Sequence, residues 1–290
     1  MRNYLVTSAC AWFITLCSWF CLWVISYYFV NDAELAILFF PFALRLGVTL
    51  HTAKKHWPAI YAAEWLLTIS LALLLDQPQW LTVLAASAAS IPVTAMAVRF
   101  NYGAQSQRLL VQAAAIIVSS LINVAAVSSH VESPSLVWLV SVTGGLMLVP
   151  TCYLVWNYLF QSTWLPLTSN LISQPIQFNV KPIILFVIVF SVSIALQIGL
   201  PDELRRFAPF CLAIPIILLA FRYGWQGAML GTLLNSIALI AARSGVSQIE
   251  VTDLLLSITA QTLTGILLGM AVQRQRDLNQ KLRHELLSLI

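Results

Sequence analysis

Residues 5–30 read LVTSACAWFITLCSWFCLWVISYYFV, 26 residues without a single charge. That exceeds the roughly 20 apolar residues an α-helix needs to cross a hydrocarbon core about 30 Å thick. It is also longer than the apolar region of a secretory signal, and no A-x-A site follows it. The stretch therefore reads as a first membrane span rather than a leader. Outward from it, cutting the chain at its polar clusters yields nine more candidates: 35–50, 57–75, 80–98, 109–127, 136–160, 183–200, 208–221, 228–242 and 254–272. The second, eighth and ninth of the ten are short, which suits tilted helices, half-helices or re-entrant pieces.

Composition agrees with this reading. Of 290 residues, 60% are apolar and 9% charged, against about 25% charged in a soluble chain. A water-soluble fold is excluded, and 10 Trp, 8 Tyr and 14 Phe supply anchors for the headgroup region. The net charge of +4 is scattered, with no basic run to track a phosphate backbone, so nucleic acid is not an expected partner. Five Cys lie in apolar stretches without a CxxC pair, so they read as small core residues rather than metal ligands or disulfides.

Charge sets the expected orientation. With ten spans and both termini cytoplasmic, the inner side holds Arg2, Lys54, Lys55, Arg99, Arg108, Lys181, Arg222, Arg274, Arg276, Lys281 and Arg283. The outer side holds only Arg205, Arg206 and Arg243, eleven against three. The expected fold is an all-α, polytopic integral membrane helical bundle of about ten (eight to ten) transmembrane helices. Residues 1–272 form its membrane domain, and 273–290 a cytoplasmic amphipathic helix.

A weak internal repeat crosses this domain. Phe40-Pro41-Phe42 ahead of Trp57 and Ala208-Pro209-Phe210 ahead of Trp225 are offset by 168 residues, with Pro and Trp sixteen apart in both. Related four-span units of the same orientation explain this. So does the preference of Pro for a first helical turn and of Trp for the interface.

Arg45 and Glu64 are the only charges well inside predicted spans. A charge at the bilayer centre costs at least about 2.5 kcal/mol, so something must compensate it. Both sit roughly 8 to 10 Å from the inner ends of spans two and three at 1.5 Å per residue, so they can pair across the hairpin. Such a pair either fixes helix register or couples to a ligand or partner; snorkelling without pairing is the remaining reading. Asp202, Glu203, Arg205 and Arg206 form an outer loop of mixed charge, either a contact for a ligand or partner or simply a solvated turn. Gly227-x-x-x-Gly231 and Gly265-x-x-x-Gly269 allow close helix approach, within the chain or in a homodimer. Asn235, Gln197 and Gln261 read as interhelical glue. Beyond residue 272, Leu278, Leu282, Leu286 and Leu289 make a stripe at helical spacing that needs a partner: another protomer, a missing C-terminal domain or the membrane surface. His284-Glu285 reads as a surface pair. No nucleotide-binding, zinc-protease or other catalytic signature is present, so no catalytic residue, metal or cofactor is expected.

Several phrases then form a linked set: Phe20-Cys21-Leu22-Trp23, Phe40-Pro41-Phe42-Ala43-Leu44-Arg45-Leu46-Gly47, Trp57-Pro58 with Ala63-Glu64-Trp65-Leu66-Leu67, Thr163-Trp164-Leu165-Pro166-Leu167, Ser173-Gln174-Pro175-Ile176, Leu200-Pro201-Asp202-Glu203-Leu204 and Tyr223-Gly224-Trp225-Gln226-Gly227-Ala228. As a set it resembles the membrane-embedded sensor region, of the MASE type, of hexose-phosphate-uptake sensor histidine kinases. The resemblance runs from the first span to Leu278-Asn279-Gln280. It implies the bacterial inner membrane and a two-component system in which the membrane region works with a transporter-like receptor of the major facilitator class that detects external glucose 6-phosphate. The state then passes, with 273–290 as a signalling helix, to a cytoplasmic kinase core that phosphorylates a response regulator. This sequence stops before that core, and His284 lies too early to be the phosphoacceptor, so the expectation is a sensor part without enzymatic activity of its own. A small multi-span transporter, and a membrane protein that binds sugar phosphate directly through Arg205 and Arg206, are the alternatives.

Overall fold

The computed structural model describes residues 2–101, 105–156, 208–223, 225–242 and 248–288, with six single positions between 184 and 195. Among the described residues there are eleven α-helices and no strand. They are α1 (Arg2–Val30), α2 (Ala33–Leu38), α3 (Phe40–His51), α4 (Trp57–Leu74), α5 (Leu81–Ala89), α6 (Ile91–Phe100), α7 (Gln105–Val127), α8 (Pro134–Trp156), α9 (Ala208–Tyr223), α10 (Trp225–Ala242) and α11 (Gln248–Ser288). Helix is what lipid demands, because a spanning segment must satisfy its own backbone groups.

Seven described stretches are long and apolar enough to cross a membrane, and they answer to the expected spans one to six and ten. The expected eighth and ninth are the helices α9 and α10, of 16 and 18 residues. Most of the expected seventh lies outside the described residues. The all-α polytopic reading stands, with the membrane-crossing count lower than ten among the described residues.

Two spans that read as continuous are broken. The second divides at Phe39 into α2 and α3, with Pro41 in the first turn of α3. A prolyl nitrogen has no proton to give, so it is tolerated where helical donors are unsatisfied anyway. The buried Phe40 N–H next to it donates to Ser26 Oγ of α1, at 3.4 Å. The fourth span divides at Ser90 into α5 and α6, with Pro92 in the first turn of α6.

The turns that join α1 to α2 and α3 to α4 are equally local in origin. Asn31 takes a left-handed conformation (φ 55°) after α1, its N–H bonding Tyr27 O at 2.8 Å. Asn tolerates that conformation better than most residues. Asp32 then caps α2, its Oδ1 accepting from the N–H groups of Glu34 (2.9 Å) and Leu35 (3.0 Å). At the other end of the hairpin, Trp57 Nε1 donates to Thr49 O (3.0 Å) and Thr52 O (3.2 Å), which closes the turn between α3 and α4.

The chain divides into two compact units, residues 1–153 with 244–259, and 154–243 with 260–290. In the first, α3 is the most enclosed helix: Phe42, Ala43, Leu46 and Leu50 pack with Ala97 of α6, Ala115 and Ile116 of α7, and Val142, Leu146 and Val149 of α8. Helices in lipid gain little from burying apolar surface and associate through close packing, so small residues decide where backbones meet. Gly144 faces the Phe39 backbone, Gly145 faces Ile116, and Gly47 faces Cys152. By contrast α1 presents Phe13, Ile14 and Phe20 outward. Cys10, Cys17 and Cys21 are exposed on the same helix, which corrects their reading as core residues; a thiol is apolar enough for a lipid-facing position.

In the second unit α9 packs on α10. Pro209 is the second residue of α9 as Pro41 is of α3, and Trp225 opens an 18-residue helix as Trp57 does. The helix boundaries thus follow the sequence repeat. Gly231 lies against Leu219 and Ile216, and Gly265 against Thr232 and Ile216. Gly227 and Gly269 are buried too, so these glycine faces are taken up inside the chain and a homodimer needs another surface.

Candidate functional site

The two intramembrane charges meet. Arg45 of α3 and Glu64 of α4 are 2% and 3% exposed, and Arg45 Nε lies 3.4 Å from Glu64 Oε2. An isolated buried pair rarely recovers its desolvation cost, so the rest of the shell matters. The break at Ser90 supplies it. Beside that break the Ser87 carbonyl accepts from Arg45 Nη1 at 3.0 Å and from Ser90 Oγ at 2.7 Å. Arg45 Nη1 also reaches Ser87 Oγ and Ser90 Oγ, each at 2.8 Å.

Ser87 is the junction of the network. Its hydroxyl donates to Glu64 Oε2 at 2.7 Å and accepts from Arg45 Nη1 and from Trp65 Nε1, the latter at 3.1 Å. One donor and two acceptor positions are all a hydroxyl has, so this group is saturated. The guanidinium carbon stands 5.4 Å from the centroid of the Phe42 ring and 5.6 Å from that of Tyr61, close enough for cation–π attraction. Four elements, α3, α4, α5 and the start of α6, are therefore tied at one buried point. This arrangement holds charge and geometry.

A second pair joins α2 to the turn between α7 and α8, where His130 Nε2 is 2.7 Å from Glu34 Oε1. No sequence pattern links the two, which lie 96 residues apart. Ser87 and Ser90 were missed as well. Their spacing of three in the apolar run Ala85-Ala86-Ser87-Ala88-Ala89-Ser90, just before Pro92, was the available signal.

The remaining expected residues fall as follows. Asp202, Glu203, Arg205 and Arg206 lie outside the described residues, as does Gln197. Asn235 Nδ2 donates to Gln261 Oε1 at 2.7 Å, bridging α10 and α11. The last span continues without a break into a helix of 41 residues, on which Leu278 is 52% and Leu282 is 56% exposed. Leu286 lies on the same helix. Among the described residues no group of acidic, His or Cys side chains is arranged to hold a metal ion.

A multi-pass helical membrane protein with a buried charge network and a 41-residue helix is the class these features define. Residues 7–276 match the MASE1 family, and the chain belongs to it. It is 43% identical over 282 residues to the signal transduction histidine-protein kinase/phosphatase UhpB of Salmonella typhimurium. That alignment covers 97% of this chain and 56% of the relative, so the chain spans little more than half the relative's length. No solved structure matches it.

Proposed function

We propose that this chain is the signal-input part of a bacterial two-component system, an inner-membrane module with both termini in the cytoplasm. Its input is external sugar phosphate, glucose 6-phosphate, met through a transporter-like receptor of the major facilitator class. Its output is a histidine kinase reached through α11. Support for the class of role comes from MASE1 membership and from the likeness to a histidine-protein kinase/phosphatase.

The observation that carries the mechanism is the Arg45–Glu64–Ser87–Ser90 network. Its members come from α3, α4 and the break between α5 and α6, and they are joined by directional hydrogen bonds and an ion pair at a buried point. Such a junction has few intermediate arrangements, so a displacement of α3 against α4 is transmitted as a discrete change rather than absorbed. Helix α11 then carries the change outward, with Leu278 and Leu282 as its contact stripe.

The test is co-purification of this chain in mild detergent with the candidate receptor, with and without glucose 6-phosphate. A stable or ligand-sensitive complex is expected. A well-folded chain that forms no complex in either condition contradicts the partner-coupled reading.

One observation favours a second reading. The breaks at Phe39 and Ser90 are the kind of interrupted span found around transport sites. A transporter would move solute in liposomes containing only this chain, whereas an input module would not.

A further inference from the structure

A cleft of about 580 Å³ opens where α1 ends, α2 begins and the α4–α5 turn passes, within the roughly 300–1,000 Å³ usual for small-ligand sites. One wall is aromatic: the rings of Trp23 and Tyr27 are stacked at 5.8 Å, and Trp80 is buried beside them. Trp23 is fixed in place because its Nε1 donates to Ala33 O at 3.2 Å. The other wall is acidic, carrying Asp32 and Glu34, and the amides of Asn31, Gln77 and Gln79 complete the lining.

The lining holds two carboxylates and three aromatic rings but no Lys, Arg or His. His130 reaches Glu34 Oε1 at 2.7 Å from outside the lining. Phosphate and other anions are therefore disfavoured there. A cation gains from the carboxylates and from the negative faces of the rings, and the amide oxygens accept its remaining protons. Two carboxylates, one with an oxygen engaged in capping α2, do not make a metal cage. The Trp-rich wall is also the side-chain type that sits at headgroup level.

We propose that this cleft binds an ammonium group, carried either by a lipid headgroup such as that of phosphatidylethanolamine or by a free organic amine. The site requires neither a particular sidedness nor the signalling role, so it stands or falls separately from them.

The test compares the chain with an Asp32→Asn/Glu34→Gln variant. Asparagine caps a helix as well as aspartate does, and a glutamine at 34 keeps a hydrogen bond to His130. In one arm the chain sits in phosphatidylglycerol nanodiscs doped with phosphatidylethanolamine, and native mass spectrometry reads which lipid it retains. In the other, ethanolamine is titrated into phosphatidylglycerol nanodiscs and tryptophan fluorescence is followed. Selective retention of phosphatidylethanolamine identifies the lipid source, and saturable ethanolamine binding the free one. In either case the affinity should fall about tenfold or more in the variant, as losing a charge-assisted hydrogen bond implies. Glucose 6-phosphate should not compete. Absence of binding in both arms, binding the variant retains, or displacement by glucose 6-phosphate overturns the proposal. Should the double variant fail to fold, Asp32→Asn alone serves.

Discussion

Ser87 donates its hydroxyl proton to Glu64 Oε2 at 2.7 Å, and through the same oxygen it accepts from the arginine that balances that carboxylate. One small side chain thus separates and joins the two intramembrane charges. Removing either charge strands the other in lipid. Arg45→Met and Glu64→Leu should each destabilise the protein by about 3–5 kcal/mol, whereas the Arg45→Met/Glu64→Leu double variant should recover most of that loss. Thermal unfolding in nanodiscs with a double-mutant cycle measures it. Additive losses would show that the pair is not coupled.

The serines should matter less singly and through the same partners. Ser87→Ala removes bonds to both charges, so a cost of about 1–3 kcal/mol is expected. In a Glu64→Leu background, the same substitution should cost clearly less. Equal cost in both backgrounds would place Ser87 outside the network.

Two glycines distinguish rigid from yielding contacts. A Cβ at Gly144 would meet Phe39 O at 2.6 Å, a backbone atom on the far side of a helix contact. A Cβ at Gly231 would meet the tip of Leu219 at 3.1 Å, which can turn away. Gly144→Ala should cost at least the 1–3 kcal/mol of ordinary overpacking, and Gly231→Ala about 1 kcal/mol or less. Unfolding midpoints and the yield of folded protein check the ranking, and a reversed order contradicts the packing described.

Sidedness is testable directly. In a background without native cysteines, Glu132→Cys should react with an impermeant thiol reagent added outside intact cells, and Lys55→Cys only after permeabilisation. The opposite pattern would invert the proposed orientation.

Much of this architecture was legible because lipid leaves few choices. Residues 5–30 cannot be anything but a spanning helix once their length is counted, and Arg45 and Glu64 stood out because two lone charges in apolar spans require each other. The breaks at Phe39 and Ser90 were not legible. Pro41 and Pro92 suit a first helical turn equally whether that turn opens a span or restarts one, and only the three-dimensional partners decide. Serine has the same ambiguity, since in an apolar helix it commonly bonds its own backbone, as Ser26 and Ser70 do here. The glycine spacing was visible at Gly227 and Gly231, yet the tightest contacts fall at Gly47, Gly144 and Gly145. Closeness depends on the opposing surface, which spacing does not contain.

The central claim is that the buried network transmits signal as well as holding helices together. The Arg45→Met/Glu64→Leu pair, placed in a full-length histidine kinase carrying this membrane region, separates the two roles because it removes the charges while keeping the volume. Kinase autophosphorylation is then measured with the receptor present, with and without glucose 6-phosphate. The account predicts a folded, membrane-inserted kinase whose output no longer changes with ligand. A normal ligand response from that variant would contradict it and leave the pair with a purely structural part.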